Sequence, residues 1–388
     1  MRAVRGNRSL RTTLSTTEQF KNFILEPAKA LTTVGPILVV IDALDESGEE
    51  SSRKPLLDVI AKGISDLPPN FRILITARPE PDIIHAFNGN RHIFFEHMNT
   101  IDEASNGADI TLFIETQLSG VDSLESEWPN NHWCRMLTES SGGLFQWAST
   151  ACRAIKDTRG GLLPTERLSR FVSSARGLDA LYLEVLRQAE DNIVMSRFRS
   201  VIGRILASEV PLSVFTHSEL RGSDNPGDDL ELILPSLGSL LSGVNQSHVP
   251  VRALHASFFD FLTDKNRSKS YYVDSSRYQR TLTLSSLRTM KFGLRFNICS
   301  LETSHLRNTD VPDLDTRVEN IILPHLSYAC LFWADHLRAT AYDTGILNEL
   351  LDFLHHRFLY WLEVLSLTNM TNVASRMLLL MSEWNEVC

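Results

Sequence analysis

The stretch PILVVIDALDES, residues 36–47, places five apolar and mostly β-branched residues directly before an acid, Asp42, with Asp45 and Glu46 close behind. Together with Val34, and bounded in front by Gly35 and Pro36, it predicts a strand from Val34 to Ile41 of the parallel kind that is covered on both faces. Upstream the pattern predicts a helix around Glu18 to Leu31. Downstream, a helix containing Leu56, Leu57, Ile60 and Ile64 leads to a second strand, Phe71 to Ala77 in FRILITARPE. PDIIHAF then leads to a third, RHIFFEHM at 91–98. Strand, helix, strand, helix, strand implies a parallel sheet with right-handed crossovers. Ligands of such sheets bind at the carboxyl ends of the strands, and Asp42 and Arg78 both stand there.

Beyond about residue 105 the strand signal gives way to helices. Leu144, Trp147, Ala148, Ala151, Cys152 and Ile155 recur at helical spacing behind the pair Gly142-Gly143, which suits an entry turn. Residues 180–262 mix helical runs with short β-type pieces, a mixture that suits a winged helix with a two-stranded wing around NQSHVPVRAL. From 275 onward the apolar positions predict a helical bundle: Leu326, Cys330, Trp333 and Leu337; Ile346, Leu350, Leu354, Phe358, Leu362 and Leu365; Val373, Met377, Leu380 and Trp384.

The composition narrows the class. With 388 residues, 43% hydrophobic and 22% charged, the chain is long enough for two or three domains with real cores. A net charge of −9 with no basic block argues against nucleic acid as a partner. The five cysteines are scattered and form no Cys-x-x-Cys pair, which fits a reducing compartment. No apolar run approaches the roughly 20 residues of a membrane span, so a cytoplasmic protein without membrane contact is expected. Arg2, Arg5, Arg8 and Arg11 among Ser and Thr, with no acid before Glu18, leave a mitochondrial presequence as the lesser alternative.

Six ordered stretches, ILVVIDALDES, RILITARPE, GGLFQWASTACRAI, LHASFFDFL, LRFNICSLETSHLRN and LPHLSYACLFWADHL, together resemble fungal NACHT-domain proteins of the STAND class of signalling NTPases. The resemblance is strongest to the basidiomycete type that often carries WD-repeat propellers downstream, and it runs from about residue 16 to 388. It implies an α/β part followed by mostly α structure. Residues 1–104 would be a partial nucleotide-binding domain, an incomplete P-loop NTPase parallel sheet of Walker B and sensor strands. A helical domain over 105–175, a winged helix over 176–270 and a C-terminal helical region over 271–388 would follow.

The same resemblance assigns roles. Asp42 would ligate Mg, since a hard cation takes oxygen donors beside nucleotide phosphates. Asp45 and Glu46 would help hold the metal and orient the attacking water. The plainer account is that they cap and charge the next helical turn. Arg78 would be the sensor arginine reaching a γ-phosphate, or else a strand-end arginine paired with a carboxylate. His255 would donate to the β-phosphate of ADP, or else be a core histidine bonded to backbone. Gly143 falls where relatives place a Gly-x-Pro element near the nucleotide, although the proline is missing here.

A phosphate cradle of the form Gly-x-x-x-x-Gly-Lys-Ser/Thr needs inward-turned backbone N–H groups and a lysine. No Gly-Lys precedes Ser or Thr anywhere in the chain, and the only Lys-Ser, Lys269-Ser270, lies in a polar stretch. The expectation is a chain that begins after the Walker A loop and lacks the sheet's first strand, leaving apolar side chains near Ile37 to Ile41 short of cover. Three functions compete. One is a truncated NACHT/STAND signalling or regulatory module without autonomous ATPase, acting through protein partners. The second is an ADP/ATP switch whose phosphate contacts come from an unusual loop or a partner chain. The third is a helical protein-binding scaffold built on 275–388. There is no Gly-x-Ser-x-Gly elbow, no His-Glu-x-x-His helix and no paired Cys/His set to support another chemistry.

Overall fold

The computed structural model describes residues 15–33, 35–48, 50–96, 103–119, 121, 130–157, 162–174, 177–187, 192–221 and 229–386. Val34, the four N-terminal arginines and the end of the 91–98 segment lie outside them. The chain divides into two compact units, Met1–Thr100 and Ile101–Cys388. The described residues are mostly helical, with a two-stranded parallel sheet in the first unit and a two-stranded antiparallel ribbon in the second.

In the first unit, the Ser15 hydroxyl accepts from the Glu18 N–H and starts α1 (Thr16–Phe20). That helix runs through a π-helical turn, Lys21–Leu25, and ends in the 3-10 turn Lys29–Leu31. Strand β1 (Ile37–Ile41) pairs in parallel with β2 (Phe71–Ile75), Ile37 opposite Phe71 and Ile41 opposite Ile75. The crossover between them carries α2 (Glu50–Gly63), and α3 (Pro81–Phe87) follows β2. Leu57, Ile60 and Ala61 of α2 pack with Leu44, Ile83 and Phe87, against Ile41 and Ile75 of the sheet. Each aliphatic side chain so buried contributes about 1.5–3 kcal/mol.

Two expectations fail here. Strand β1 is not covered on both faces: the register puts Leu38, Val40 and Leu74 on one face, where they are 64%, 56% and 52% exposed. Nor do residues 91–96 form the third strand. A strand exists by its ladder, and among the described residues this segment joins none; the Ile93 N–H instead closes a turn onto the Asn90 carbonyl. Ile93 packs into the core while Phe94 stays 89% exposed.

The second unit holds two cores. Around the first lie α4 (Glu103–Leu118), α5 (Asn131–Ser141), α6 (Phe145–Lys156), α7 (Pro164–Ser173), α8 (Leu178–Leu186), α9 (Asn192–Ala207) and α11 (Asp229–Ile233), with α10 (Val214–Arg221) between the last two in sequence. Gly142 ends α5 at φ +58 and Gly143 continues at φ +81, so the pair makes the turn into α6, whose Trp147, Ala148, Ala151, Cys152 and Ile155 are buried. Strands β3 (Leu241–Ser242) and β4 (Arg252–Ala253) form the ribbon. Gly243 permits its turn, with φ +77 and a position where a Cβ would stand 2.4 Å from the Pro250 carbonyl oxygen. Helix α12 (Ser257–Thr263) then seats Phe258 and Phe261 against Tyr182, both ring pairs 5.3 Å apart.

The short α13 (Lys265–Ser268) and the long α14 (Ser276–Gly293) lead to the second core, shared by α15 (Leu314–Ile321), α16 (Pro324–Arg338), α17 (Thr344–His356), α18 (Phe358–Leu367) and α19 (Ala374–Glu386). The spacing from Ile346 to Leu365 is not one helix. It breaks at Arg357, whose Nε–H donates to the Lys291 carbonyl at 3.1 Å. The break resets the register, so Phe353, Trp361, Val364 and Leu365 are buried while Leu354, Phe358 and Leu362 are only partly so.

Candidate functional site

Strand β1 ends at Ile41, and Asp42 begins the loop with an exposed carboxylate that accepts from the Thr76 hydroxyl. Thr76 also receives the Ala43 N–H on its hydroxyl at 3.0 Å, donates its own N–H to the Ile41 carbonyl, and takes the Leu44 N–H on its carbonyl. These bonds carry the β1–β2 pairing one step past the strands. Ala43 then takes left-handed φ +51, ψ +51, an uncommon conformation for a residue with a Cβ, and turns the chain so that Leu44 enters the core. Asp45 and Glu46 follow in the 3-10 turn Leu44–Glu46.

Asp45 and Arg78 meet. The Arg78 N–H donates to Asp45 Oδ1 at 2.9 Å, and its guanidinium Nε lies 3.4 Å from Oδ2. The Asp45 side chain is thus nearly buried, while Arg78 remains partly open. Glu46 is exposed and makes no side-chain hydrogen bond or ion pair among the described residues. The other end of Asp45 is gripped by Arg53 of α2, whose Nη1 donates to the Asp45 carbonyl at 2.5 Å and to the Gly48 carbonyl at 3.1 Å. The same buried guanidinium makes a two-pronged pair with Asp82 on α3, at 2.8 and 2.9 Å. Its hydrogen bond holds the Asp82 carboxyl below the usual carboxylate range.

Arg53, Thr76 and Asp82 escaped the sequence reading. The available signals were Thr76 inside LITARP and Asp82 in the first turn of α3, where an acid is favoured by the helix dipole. Arg53 fixes the loop through its backbone. Arg53→Met is therefore expected to bring the Leu44–Ser47 amides toward unprotected hydrogen-exchange rates while the α2 amides after Leu57 stay protected. Equal exchange in both proteins would show that the clamp does not hold the loop.

His255 and Gly143 belong to the second unit. The Ser257 N–H donates to His255 Nδ1 at 3.2 Å, which makes Nδ1 an acceptor and leaves the ring proton on Nε2. Ser257 Oγ lies 2.6 Å from the same Nδ1 and 2.8 Å from the Tyr182 hydroxyl, so Tyr182 donates to Ser257 and Ser257 to His255. The half-buried imidazole consequently keeps its Nε2–H as the remaining ring donor. The Gly143 carbonyl accepts from Asn106 Nδ2 at 2.7 Å, and a Cβ at Gly143 would approach that nitrogen to 3.3 Å.

Among the described residues no group of three or more His, Cys, Asp or Glu side chains is placed to hold a metal. Mg is commonly held by one or two carboxylates together with water and phosphate oxygens. Asp42 and the unengaged Glu46 fit that donor chemistry, whereas the Asp45 carboxylate is already taken by Arg78. As phosphate donors, Arg78 belongs to the first unit and His255 to the second, and the sequence holds no Gly-Lys-Ser/Thr cradle.

Residues 3–78 match the family described as Nephrocystin 3, N-terminal, a span that includes both strands and ends on Arg78. The chain is also similar to Vegetative incompatibility protein HET-E-1 of Podospora anserina, 25% identical over 386 residues. That alignment covers 90% of this chain and 26% of the relative, so the chain spans about a quarter of that protein's length. No solved structure matches. Among the described residues, no helix is long and apolar enough to cross a membrane.

Proposed function

We propose that the chain is a NACHT-type signalling or regulatory module of the cytoplasm that works through protein contacts and does not hydrolyse ATP by itself. The similarity to a vegetative incompatibility protein along 90% of the chain supports the class. The observation that carries the loss of hydrolysis is the Asp45–Arg78 pair. An acid that orients water needs its lone pairs for that water, and a sensor arginine needs its guanidinium for phosphate. Here one Asp45 oxygen accepts from the Arg78 N–H and the other faces the Arg78 Nε at 3.4 Å. Phosphoryl transfer depends on positioning and electrostatic stabilisation, and a sequence without the Lys-bearing loop lacks a major source of both. The described cysteines, Cys134, Cys152, Cys299 and Cys330, are buried free thiols, in keeping with a reducing compartment.

A second reading is favoured by one feature, the His255 tautomer that the Tyr182–Ser257 chain sets, with its proton on Nε2. In that reading the chain binds ADP or ATP as a conformational switch, with Asp42 and Glu46 toward Mg and Arg78 and His255 toward phosphate. One experiment separates the two. ATP turnover by purified protein with Mg is expected to stay at the buffer rate and to be unchanged by Asp45→Asn. Turnover above that rate, lost in Asp45→Asn, would overturn the first reading. A fluorescent ADP analogue that binds saturably, and fails to bind both Arg78→Ala and His255→Ala, would establish the second.

A further inference from the structure

The sequence contains two Asn-Gly pairs, Asn88-Gly89 and Asn106-Gly107. Such a pair is self-reactive, because the backbone nitrogen of the second residue can attack the side-chain amide of the first. Glycine, with no Cβ, leaves both the approach and the backbone rotation open. The fold treats the two pairs in opposite ways.

Asn106-Gly107 lies inside α4, where helical hydrogen bonds fix the backbone. Its side-chain amide is engaged as well: Asn106 Nδ2 donates to the Gly143 carbonyl at 2.7 Å, and the Gly107 carbonyl accepts the Thr111 hydroxyl at 2.9 Å. Asn88-Gly89 follows the end of α3, where the Asn88 N–H closes the helix onto the Ile84 carbonyl at 2.9 Å. Both residues are exposed, and among the described residues neither the Asn88 side-chain amide, the Asn88 carbonyl nor the Gly89 N–H makes a hydrogen bond. Gly89 stands at φ +81, with open space where a Cβ would be. The peptide plane between the two residues is therefore free to turn until the Gly89 nitrogen meets Asn88 Cγ. Just beyond it the chain is held again. Asn90 Nδ2 donates to the Ala86 carbonyl at 3.0 Å, and the Ile93 N–H donates to the Asn90 carbonyl at 3.0 Å, with Ile93 packed on the core.

We propose that Asn88-Gly89 is a spontaneous modification site, at which the folded chain converts asparagine to aspartate and isoaspartate and thereby loosens the turn that ends α3. The Gly89 nitrogen gives its proton to solvent base and bonds to Asn88 Cγ, and the Cγ–Nδ2 bond breaks, releasing ammonia that takes up a proton. Water then opens the cyclic imide. Breaking the new bond between nitrogen and Cγ leaves aspartate. Breaking the original bond between nitrogen and the Asn88 carbonyl carbon leaves isoaspartate, with the main chain routed through Cβ and Cγ. Water is the only co-reactant, and nothing is oxidised or reduced. Both products put a carboxylate at the carboxyl end of α3, where the helix dipole disfavours negative charge. Isoaspartate also lengthens the main chain by a carbon, which displaces Asn90 from the carbonyls it caps. The same helix carries Asp82, the anchor of Arg53, in its first turn. The inference stands apart from the signalling reading and needs no nucleotide or partner.

The test incubates the full chain in mildly alkaline and in mildly acidic buffer. Peptide mass spectrometry after acidic digestion reads the loss of each amide, and an isoaspartyl methyltransferase with a labelled methyl donor reads isoaspartate. In the folded chain Asn88 is expected to lose its amide at least about tenfold faster than Asn106, whose reaction must first break hydrogen bonds and open a helix. Alkali should speed the loss, since the nitrogen must give up its proton. In urea, which melts α4, the two pairs should react at similar rates. Hydrogen exchange at the Asn90 and Ile93 amides should rise in the aged chain and stay unchanged in equally aged Asn88→Gln, whose longer side chain does not close this ring readily. Equal rates at Asn88 and Asn106 in the folded chain, an Asn88 that keeps its amide, an Asn106 as slow in urea as when folded, or exchange untouched by the modification overturns the proposal.

Discussion

Lowering the pH from 7.5 to 5 is expected to cost the second unit about 4 kcal/mol of stability, through two buried histidines that stay neutral when folded. His217 on α10 is buried, its Nε2 has no hydrogen-bond partner among the described residues, and burial together with the nearby Arg204 pushes its pKa down to about 3. His336 on α16 is buried too, which lowers it to about 4, with Asp335 opposing weakly. Its ring is fully used. Nδ1–H donates to Gln279 Oε1 at 2.6 Å, and Nε2 accepts from the Tyr328 hydroxyl at 2.7 Å, which itself receives the Glu209 N–H at 3.1 Å. A proton on Nε2 would set two donors against each other.

The direction follows from which state binds the proton. Unfolded, both histidines titrate near 6.5, so below that pH the unfolded chain takes up protons that the folded chain refuses. Their contribution is complete above pH 6.5 and lost as pH falls toward the folded values, at about 1.4 kcal/mol per pH unit for each. All six tryptophans lie beyond residue 100, so urea unfolding followed by their fluorescence reports this unit alone. His217→Leu should roughly halve the pH slope. A stability that is flat between pH 7.5 and 5.5 would show that neither ring is neutral by burial.

How much of this was legible in sequence depended on whether the signal was local. The runs at Ile37–Ile41 and Phe71–Ile75 announce strands because apolar β-branched residues have few other uses at that length. Helix α6 shows itself through five buried positions and the glycine turn before it. RHIFFEHM carries the same composition as the two real strands, yet 91–96 form none, because composition does not reveal whether a ladder partner is present. The candidate site divides in the same way. Asp42 and Arg78 are marked by their place at strand ends. Arg53 and Asp82 are 29 residues apart and nothing in either neighbourhood points to the other, so a clamp made by tertiary packing was invisible. The bundle register failed for a related reason: the spacing continues smoothly through Arg357, while its backbone leaves the helical region there, at φ −127, and its side chain reaches the distant Lys291 carbonyl.

Trp361→Ala is expected to remove about 4 kcal/mol from the same unit, close to a thousandfold in the ratio of folded to unfolded chain. The indole is fully buried, meets Trp333 edge-on at 6.1 Å and Phe353 at 5.9 Å, and donates its Nε1–H to the Cys330 carbonyl at 2.9 Å. Deleting it leaves a cavity that α16 and α17 cannot close without moving. Trp361→Phe keeps most of the volume and loses the hydrogen bond, so it should cost far less, about 1–2 kcal/mol. Urea midpoints at pH 7.5 check both, and an alanine variant within about 1 kcal/mol of the parent would mean that this helix is not packed as described.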